Sequence, residues 1–324
     1  MATTVTTDLN TLPNFYSKVW LEVLNPGPAI MEFATKKNLE AGSGTSIFFP
    51  RAVARSTVVS AAKQTDGTTM TTQKFVDAQV SAVIEQFGDG VAMSDLTKLT
   101  ALNSTVEEAT KSLGIQAKNV IDKRILEGCY NTSATATGAG FSMFFYNTVG
   151  NTQLGISTSA GFTYADETEY AIKAETLRAA SAVLRSRNVE PFEDGMFALI
   201  AHSDTASRLR SDSEWQNAFI YTDAESVRKG IASAYEGVKV VIDNNVTTSA
   251  NGSVGATLYY SVLLGRGAIG ATELDGGIEF FAKKPGNSTT NDPADQFITL
   301  AWKANFTSKI LNVSSGLVVI TADA

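Results

Sequence analysis

The strongest constraint on the fold is a stretch of the chain in which apolar and polar side chains alternate. Its apolar side carries Val76, Ala78, Val80, Ala82 and Ile84. The polar residues at 77, 79, 81 and 85 point the other way, and this two-residue period is typical of a strand with one buried face. A partner strand begins at residues 46–49, and a polar segment at 63–69 contains the turn signal Asp66-Gly67. The pattern predicts a long two-stranded ribbon over residues 42–88.

Such a ribbon must pack against another surface. An isolated two-stranded hairpin is marginally stable in water, and the segment that follows this one is helical rather than a third strand. If the ribbon projects from its own domain, the surface that covers its apolar face belongs to a neighbouring molecule. The sequence leaves one alternative open, in which the two strands are ordinary neighbours in a larger sheet.

The longest helix-like segment follows directly, from Ser94 to Gly128. Its apolar stripe consists of Val106, Ala109, Leu113, Ala117, Val120 and Ile121. A capping box predicts a long helix beginning at Ser104, which to residue 127 would measure roughly 36 Å at 1.5 Å per residue. Ile115 and Leu126 lie on the opposite face, so we expect this helix to be covered on both sides. Gly114 costs about 1 kcal/mol relative to Ala in mid-helix, which indicates that tertiary packing stabilises it.

The remaining segments predict a mixture of helices and strands. Before the ribbon, an apolar stripe that includes Trp20 predicts a helix ended by Pro26-Gly27-Pro28, with a second short helix from Ala29 to Lys37. After the long helix we expect a helix at Glu167–Arg187 and a strand at 196–201 that is buried on both faces. Further strands are predicted at Val238–Ile242, Leu258–Leu264, Ile278–Lys283, Phe297–Lys303, Thr307–Val313 and Leu317–Thr321. The order of elements indicates an α+β fold.

Charge and composition exclude several classes of function. The chain of 324 residues has a formal net charge of −7 and a pI of about 4.9. It has no cluster of Lys and Arg of the kind that grips nucleic acid, so we expect no tight DNA or RNA binding. Charged residues make up 18% of the chain, below the usual share of about 25%. This low fraction favours a protein that buries part of its surface against partner subunits.

The single cysteine and the lack of long apolar segments restrict the covalent chemistry and the cellular location that the sequence predicts. One cysteine, Cys129, cannot form an intramolecular disulfide or a Cys-based zinc site, and we expect a small buried residue there. The N-terminus has no basic and apolar signal pattern, and no run approaches 18 apolar residues. We therefore expect a protein that folds in a cytoplasm and does not contact a membrane.

No segment predicts an active site. The only histidine, His202, stands in a contiguous His-Ser-Asp, whereas a catalytic triad is assembled from residues that are distant in sequence, so a structural or capping role is expected. Residues 265–270 fit G-x-G-x-x-G, but they lead into another strand rather than into the helix that holds a pyrophosphate. We expect no catalytic, cofactor-binding or metal-binding residues. The enzyme alternative is a hydrolase centred on His202.

Three segments carry a resemblance to a known family. They are QFGDGVAMSDL at 86–96, ALIAHSD at 198–204 followed by SRLR at 207–210, and NDPADQF at 291–297 followed by AWK at 301–303 and KILN at 309–312. In this order they resemble the major capsid proteins of tailed bacteriophages, which share a shell-forming fold with encapsulins and the herpesvirus capsid floor. The closest likeness is to the branch first defined in podophages with giant virion polymerases. The chain departs from that branch at Ser203, where proline is frequent, and over 230–237.

The resemblance implies a fold and a division into domains. The fold would be the α+β tailed-phage capsid fold with an N-terminal arm at 1–41 and an extended hairpin loop at 42–88. A peripheral domain with a long spine helix would comprise 89–150 and 266–313. An axial α/β domain would comprise 151–265 and 314–324.

The resemblance also implies a function and partners. The protein would be a structural major capsid protein, not an enzyme, that assembles with itself into the pentamers and hexamers of an icosahedral head enclosing double-stranded DNA. A portal, a separate scaffold protein and decoration proteins are implied partners, with weak, non-specific contact to packaged DNA. The location would be the virion, after assembly in the bacterial host cytoplasm. Alternatives are an encapsulin-like compartment shell and a phage decoration protein.

Candidate subunit contacts come from the arm and the ribbon. They are Trp20, Phe48, Phe49, Lys63, Asp66, Val76, Val80 and Ile84. Some relatives join their loops through Lys–Asn isopeptide bonds, and Lys63 at the ribbon tip is the candidate here.

Overall fold

A computed structural model describes most of the chain. The described residues are 18–23, 29–40, 42, 44–52, 66–67, 77–94, 96–97, 105–130, 140–147, 152–157, 171–220, 234–249, 257–283 and 296–323. Lys63 and Val76, two of the predicted contact residues, lie outside them. Strands and helices are numbered below in chain order.

A four-stranded sheet and a long helix form one part of the molecule. The sheet has the strand order β1 (Thr35–Lys36), β12 (Ile269–Lys283), β13 (Phe297–Ile310), β4 (Glu85–Ser94), and only the β1–β12 pair is parallel. Helix α1 (Thr105–Cys129) packs against β13. Alternate residues of β13 from 298 to 306 are buried, so one face of the sheet lies against the core. The long helix predicted from Ser104 is confirmed.

The ribbon is a separate two-stranded sheet. Strand β2 (Ser46–Ala52) pairs antiparallel with β3 (Asp77–Val83), and the two form a sheet of their own. The prediction of a hairpin is therefore confirmed over these residues, and the alternative of two strands within a larger sheet is wrong. The chain is no longer strand-paired at Ile84 and continues into β4 of the four-stranded sheet.

A larger mixed sheet forms the other part of the molecule. Its order is β6 (Thr152–Ser157), β5 (Ser142–Asn147), β14 (Gly316–Asp323), β11 (Thr257–Leu264), β7 (Phe197–Ala201), β9 (Val238–Ile242), β8 (Ala234–Tyr235), and β10 (Thr248–Ser249) also pairs with β11. Three helices accompany it: α2 (Ala174–Ser186), α3 (Ser203–Ser211) and α4 (Ser213–Ile220). Every residue of β7 is buried, which confirms the prediction of a strand covered on both faces.

The two faces of this larger sheet belong to different cores. In β7, Ala198 and Ile200 pack in a core that also contains residues of α1 and the four-stranded sheet. Phe197, Leu199 and Ala201 pack in a second core with α2 and α3. Because successive residues of a strand point to opposite faces, a continuous apolar segment supplies both cores at once. The larger sheet is thus the layer between the helices α2–α4 and the rest of the molecule.

Helix α1 is in contact with the N-terminal helical residues 18–23 at Gly114. A Cβ atom added to Gly114 would lie 3.3 Å from Cδ1 of Trp20 and 3.2 Å from Cγ1 of Val23. The Trp20 ring in turn stacks on Phe280 of β12, with centroids 5.4 Å apart. The glycine that weakens the helix locally therefore makes room for the segment that packs on it, and tertiary packing offsets its cost.

The expected covering of the opposite helix face is uneven. Leu126 is completely buried, whereas the Ile115 side chain is 54% exposed in the single chain. The prediction that both residues are covered is confirmed for Leu126, which the chain itself buries. Ile115 would be covered only by contact with another molecule. Cys129 is a buried free thiol, as expected, and burial raises its pKa.

The second arm helix predicted at Ala29–Lys37 is wrong. A short 3-10 helix covers only Ile30–Phe33, and the chain then becomes extended as β1. The edge of β12 offers unpaired backbone groups, and β1 pairs with it in parallel; the Lys37 N–H donates to the Ala271 carbonyl at 3.1 Å. A strand edge that lies more than 200 residues away in sequence overrides the local helical tendency.

Two other predicted boundaries differ from the structure. The segments predicted as separate strands at 297–303 and 307–313 form one strand, β13, because β12 and β4 pair with it across residues 304–306. Helix α2 begins at Ala174 rather than Glu167, since Lys173 is extended and the Ala174 N–H donates to the Asp212 carboxylate at 2.8 Å. Strand β5 pairs in parallel with β14 of the larger sheet. No helix among the described residues is long and apolar enough to cross a membrane.

We predict that Leu126 and Ile115 contribute very differently to the stability of the unassembled chain. Leu126→Ala removes a buried side chain and should lower the free energy of unfolding by about 2–5 kcal/mol. Ile115→Ala removes an exposed one and should change it by less than about 0.5 kcal/mol. Urea unfolding followed by tryptophan fluorescence measures both, and similar losses for the two variants would contradict the described packing of α1.

Candidate subunit-contact surface

The register of the ribbon assigns its residues to two faces. Directly opposite residues in an antiparallel pair share a face, so Ile47 with Ala82 and Phe49 with Val80 form the inner face. Ser46 with Val83 and Phe48 with Ser81 form the outer face. The two adjacent phenylalanines of β2 therefore point in opposite directions.

The inner face is anchored on the chain's own four-stranded sheet. Ile47, Phe49 and Ala82 form a small buried cluster with Leu39 and Leu311 packed against it. A Cβ atom added to Gly270 of β12 would lie 3.0 Å from the Phe49 ring. Gly270 thus lets the Phe49 ring lie close to the β12 backbone, and this contact holds the base of the ribbon in place.

The outer face of the ribbon carries two exposed apolar side chains. The side chain of Phe48 is 49% exposed and that of Val83 is 59% exposed, whereas that of Phe49 is 4% exposed. Solvent-exposed strand faces normally carry polar residues. We call Phe48 and Val83 the outer ribbon patch, and its apolar character is what a contact with another chain requires.

A second exposed apolar patch lies on the outer face of the four-stranded sheet. Phe281 of β12 pairs with Ala301 of β13, and Ala301 pairs in turn with Gly90 of β4. Phe281 and Phe297 are both exposed on this face. The Lys303 ammonium lies 5.5 Å from the centre of the Phe281 ring and 3.2 Å from the Glu279 carboxylate. We call Phe281 and Phe297 the outer sheet patch.

Two polar contacts hold α1 along β4. The Gln116 side chain donates to the Asp89 carboxylate and the Arg124 guanidinium pairs with Glu85 at 2.8 Å. From Gln116 to Arg124 the helix rises about 12 Å, and from Glu85 to Asp89 the strand extends about 13 Å. These lengths are nearly equal, so both contacts form at once when the helix and the strand run antiparallel. The hydrogen bond from Gln116, with that from the Gly90 N–H, holds the pKa of Asp89 below its usual value. Asp89 belongs to the segment 86–96 that carries the family resemblance.

The structure separates the predicted contact residues into core and surface. Trp20 and Phe49 are buried within the chain, so a partner subunit cannot reach them, and their prediction as subunit contacts is corrected here. Both are large and apolar, and the sequence pattern does not distinguish a side chain that packs internally from one that packs on a neighbour. Phe48 is exposed, Asp66 is exposed in a turn next to Gly67, and Val80 and Ile84 are half-buried.

Val83, Phe281 and Phe297 were missed by the sequence analysis. The signal for Val83 was present, because it is an apolar residue at an odd position of a strand whose other odd positions are polar. Phe281 follows Phe280, and of two adjacent strand residues one must face away from a one-sided core. For Phe297 no local signal existed, because its exposure follows from the register of β13.

His202 caps helix α3. Its Nδ1 accepts a hydrogen bond from the Asp204 N–H at 3.2 Å, and its ring lies against Tyr259 with centroids 5.0 Å apart. The Tyr259 hydroxyl donates to the Asp204 carboxylate at 2.9 Å. The expected structural role of His202 is confirmed. Ser203 and Asp204 are the first two residues of the helix.

The glycine motif at 265–270 is a turn between strands. The chain turns at Gly267, where φ is +69°, and β12 begins at Ile269. No helix N-terminus follows it to hold a phosphate group. Within the described part of the chain, no three His, Cys, Asp or Glu side chains are grouped so that they could hold a metal ion.

Comparisons with solved structures identify the architecture. A chain from the cyanophage Pam1 capsid asymmetric unit aligns with a TM-score of 0.66 and 14% identity, covering 93% of this chain and 92% of its own length. A chain from the capsid of Ralstonia phage GP4 aligns with a TM-score of 0.62 and 13% identity over 90% of this chain and 87% of its own. The chain has the phage capsid fold. No protein-family model and no curated protein sequence matches it.

A third solved capsid chain has the same fold. A chain from the capsid of Helicobacter pylori bacteriophage KHP30 aligns with a TM-score of 0.62 and 11% identity, covering 91% of this chain and 92% of its own length. At such low identity the match shows that the fold is shared.

We predict that His202 contributes to stability through its cap. Replacement of a capping side chain by Ala typically costs about 1 kcal/mol, so His202→Ala should lower the free energy of unfolding by about that amount. His202→Asn keeps an acceptor for the Asp204 N–H and should retain most of the stability. Chemical denaturation of both variants tests the assignment, and equal losses would show that the ring packing on Tyr259, rather than the cap, is what His202 provides.

Proposed function

We propose that this chain is a major capsid protein of a tailed bacteriophage, a structural protein that assembles with itself into the pentamers and hexamers of an icosahedral head around double-stranded DNA. The observation that carries the proposal is the match to capsid chains over about nine-tenths of both partners. Because almost the whole chain is accounted for by the shell fold, little remains to form a separate catalytic or binding domain. The ribbon adds an apolar outer patch that a neighbouring subunit would bury.

The described sheets give the proposed domains a physical basis. The four-stranded sheet with α1 would be the peripheral domain, and the larger sheet with α2–α4 the axial domain. The strand pairing supports moving β5 at 142–147 into the axial domain. The ribbon would be the extended loop that lies over the next subunit, with the segment before β1 as the N-terminal arm. The placement in the podophage giant-virion-polymerase branch rests on the three sequence segments at 86–96, 198–210 and 291–312.

Partners follow from this role. A shell of this kind would need a portal and a separate scaffold protein, and decoration proteins would bind its outside. The net charge of −7 suits an inner wall that contacts packaged DNA weakly and without sequence preference, because tight binding would obstruct loading and release. We propose no enzymatic activity, and the virion as the location, with assembly in the bacterial host cytoplasm.

Electron microscopy of the expressed protein, with and without phage scaffold, tests the proposal. Closed shells with fivefold and sixfold clusters support it, and small discrete oligomers under every condition would overturn it. A shell that purifies with DNA and a portal distinguishes a phage head from a compartment that purifies with a cargo enzyme. A monomer band on a denaturing gel of intact particles would exclude an isopeptide bond at Lys63.

We predict that Phe48 and Phe49 separate assembly from folding. Phe48→Ala should leave the free energy of unfolding almost unchanged and reduce the yield of closed shells, because it removes exposed apolar area from the outer ribbon patch. Phe49→Ala removes a buried side chain and should lower the free energy of unfolding by about 3–5 kcal/mol. Denaturation of the unassembled chain and particle counts by microscopy provide the two readouts.

Ser81→Ala is the matched control for Phe48→Ala. Ser81 lies directly opposite Phe48 on the same exposed face, and its truncation removes no apolar area. Normal assembly of Phe48→Ala with unchanged stability would exclude the outer ribbon patch as a subunit contact.

A further inference from the structure

A pocket that is open to solvent lies where the N-terminal arm crosses helix α1. Its volume is about 360 Å³, and it is lined by Ala29, Lys118, Asn119, Asp122, Ile242, Asp243, Asn244 and Asn245. Three parts of the chain meet there: the arm before β1, the middle of α1 and the turn after β9. Two of the lining residues are carboxylic acids that the protein keeps out of water, and the proposed shell function uses neither of them.

Asp122 of α1 accepts a hydrogen bond from the backbone of the arm. Its side chain is only 1% exposed, and its Oδ1 accepts a hydrogen bond of 3.4 Å from the Ile30 N–H. Ile30 opens the 3-10 helix that leads directly into β1. The Asp122 carboxylate therefore contacts the arm immediately before it enters the four-stranded sheet.

Asp243 is the second buried acid. Its Oδ1 accepts a hydrogen bond of 2.9 Å from the Asn245 N–H. Its Oδ2 is buried and has no hydrogen-bond partner among the described residues. An unpaired buried acceptor costs free energy, and a donor on a neighbouring group of the cavity would remove that cost.

The groups around Asp122 oppose its ionisation. Burial raises the pKa of Asp122 to about 7, and the negative charge of Asp243 contributes next. The backbone N–H groups of Ile30 and Ala29 and the ammonium of Lys118 act in the other direction. Lys118 from α1 and Asp243 from the turn after β9 are the charged groups that face Asp122. The arm contributes backbone N–H groups, and Asn119, Asn244 and Asn245 are neutral.

We propose that docking of the arm segment 29–37 on α1 and β12 is coupled to a proton on Asp122, so that the arm is held firmly when Asp122 is protonated and loosened when both buried acids are ionised. A proton on Asp122 removes its repulsion with Asp243. It also places an O–H donor in the cavity where the Asp243 Oδ2 lacks one. The Asp122 Oδ1 can still accept from the Ile30 N–H. The proposal concerns the arm of a single chain and does not depend on the shell function.

Linkage gives the direction of the effect. Release of the arm opens Asp122 to water, which favours its charged form and returns its pKa towards the ordinary value of about 3.9. The docked state has the higher pKa and binds the proton more tightly, so docking is strongest below about pH 4 and weakens as the pH rises to about 7. A difference of three pKa units corresponds to a change of up to about a thousandfold in the docking equilibrium.

Hydrogen exchange of the full-length protein at pH 5 and pH 8 tests the proposal. After correction for the intrinsic exchange rate, the amides of Ile30 and Lys37 should lose at least about tenfold protection between the two pH values, because they report the bonds to Asp122 and to Ala271. Asp122→Asn keeps an acceptor without a charge, and it should hold the arm protected at both pH values.

Two further variants keep the test decisive. Asp243→Asn removes the repelling charge and brings the pKa of docked Asp122 closer to its ordinary value, so the loss of protection between pH 5 and pH 8 should be smaller than in the unmodified protein. Asp66→Asn neutralises an exposed acid in the turn of the ribbon and should behave as the unmodified protein does. A pH-independent arm in the unmodified protein, or an unchanged pH dependence in both Asp122→Asn and Asp243→Asn, would overturn the proposal.

Discussion

The packing of helix α1 against strand β13 is the interaction on which the rest of the structure depends. It creates one continuous core that takes in the buried face of the four-stranded sheet, one face of the larger sheet and the arm residues around Trp20. Because buried apolar area is the dominant favourable contribution to folding, every projecting part of the chain must attach to this core. The arm does so over Gly114 and the ribbon does so over Gly270, where the lack of a side chain permits close contact.

Pairs of adjacent phenylalanines show how one strand serves both folding and contact. In Phe48-Phe49 and Phe280-Phe281, the strand period directs one ring into the core and the other towards solvent. The inner ring fixes the strand in place, so the outer ring is presented on a rigid surface rather than on a loose loop. A rigid apolar residue loses little conformational entropy on association, which favours binding between preformed surfaces.

The sequence predicts those elements whose partners are local. The hairpin register follows from the alternation at 76–84, the long helix from its stripe, and β7 from its continuous apolar run. The conversion of Thr35–Lys36 into a strand could not be predicted, because its partner β12 is distant in sequence. The different burial of Ile115 and Leu126 could not be predicted either, because both lie on the helix face opposite the stripe and only the tertiary packing distinguishes them. The cavity around Asp122 and Asp243 joins three segments that no local pattern connects.

The most direct test of the account is a reconstruction of the assembled particle at side-chain resolution. The account predicts a closed shell in which Phe48 and Val83 are buried against a neighbouring subunit while Phe49 remains packed over Gly270 of its own chain. A shell in which Phe48 and Val83 stay exposed to solvent in every subunit would contradict the proposed role of the ribbon. A particle in which Phe49 has left Gly270 to contact the neighbour would contradict the described anchoring of the ribbon.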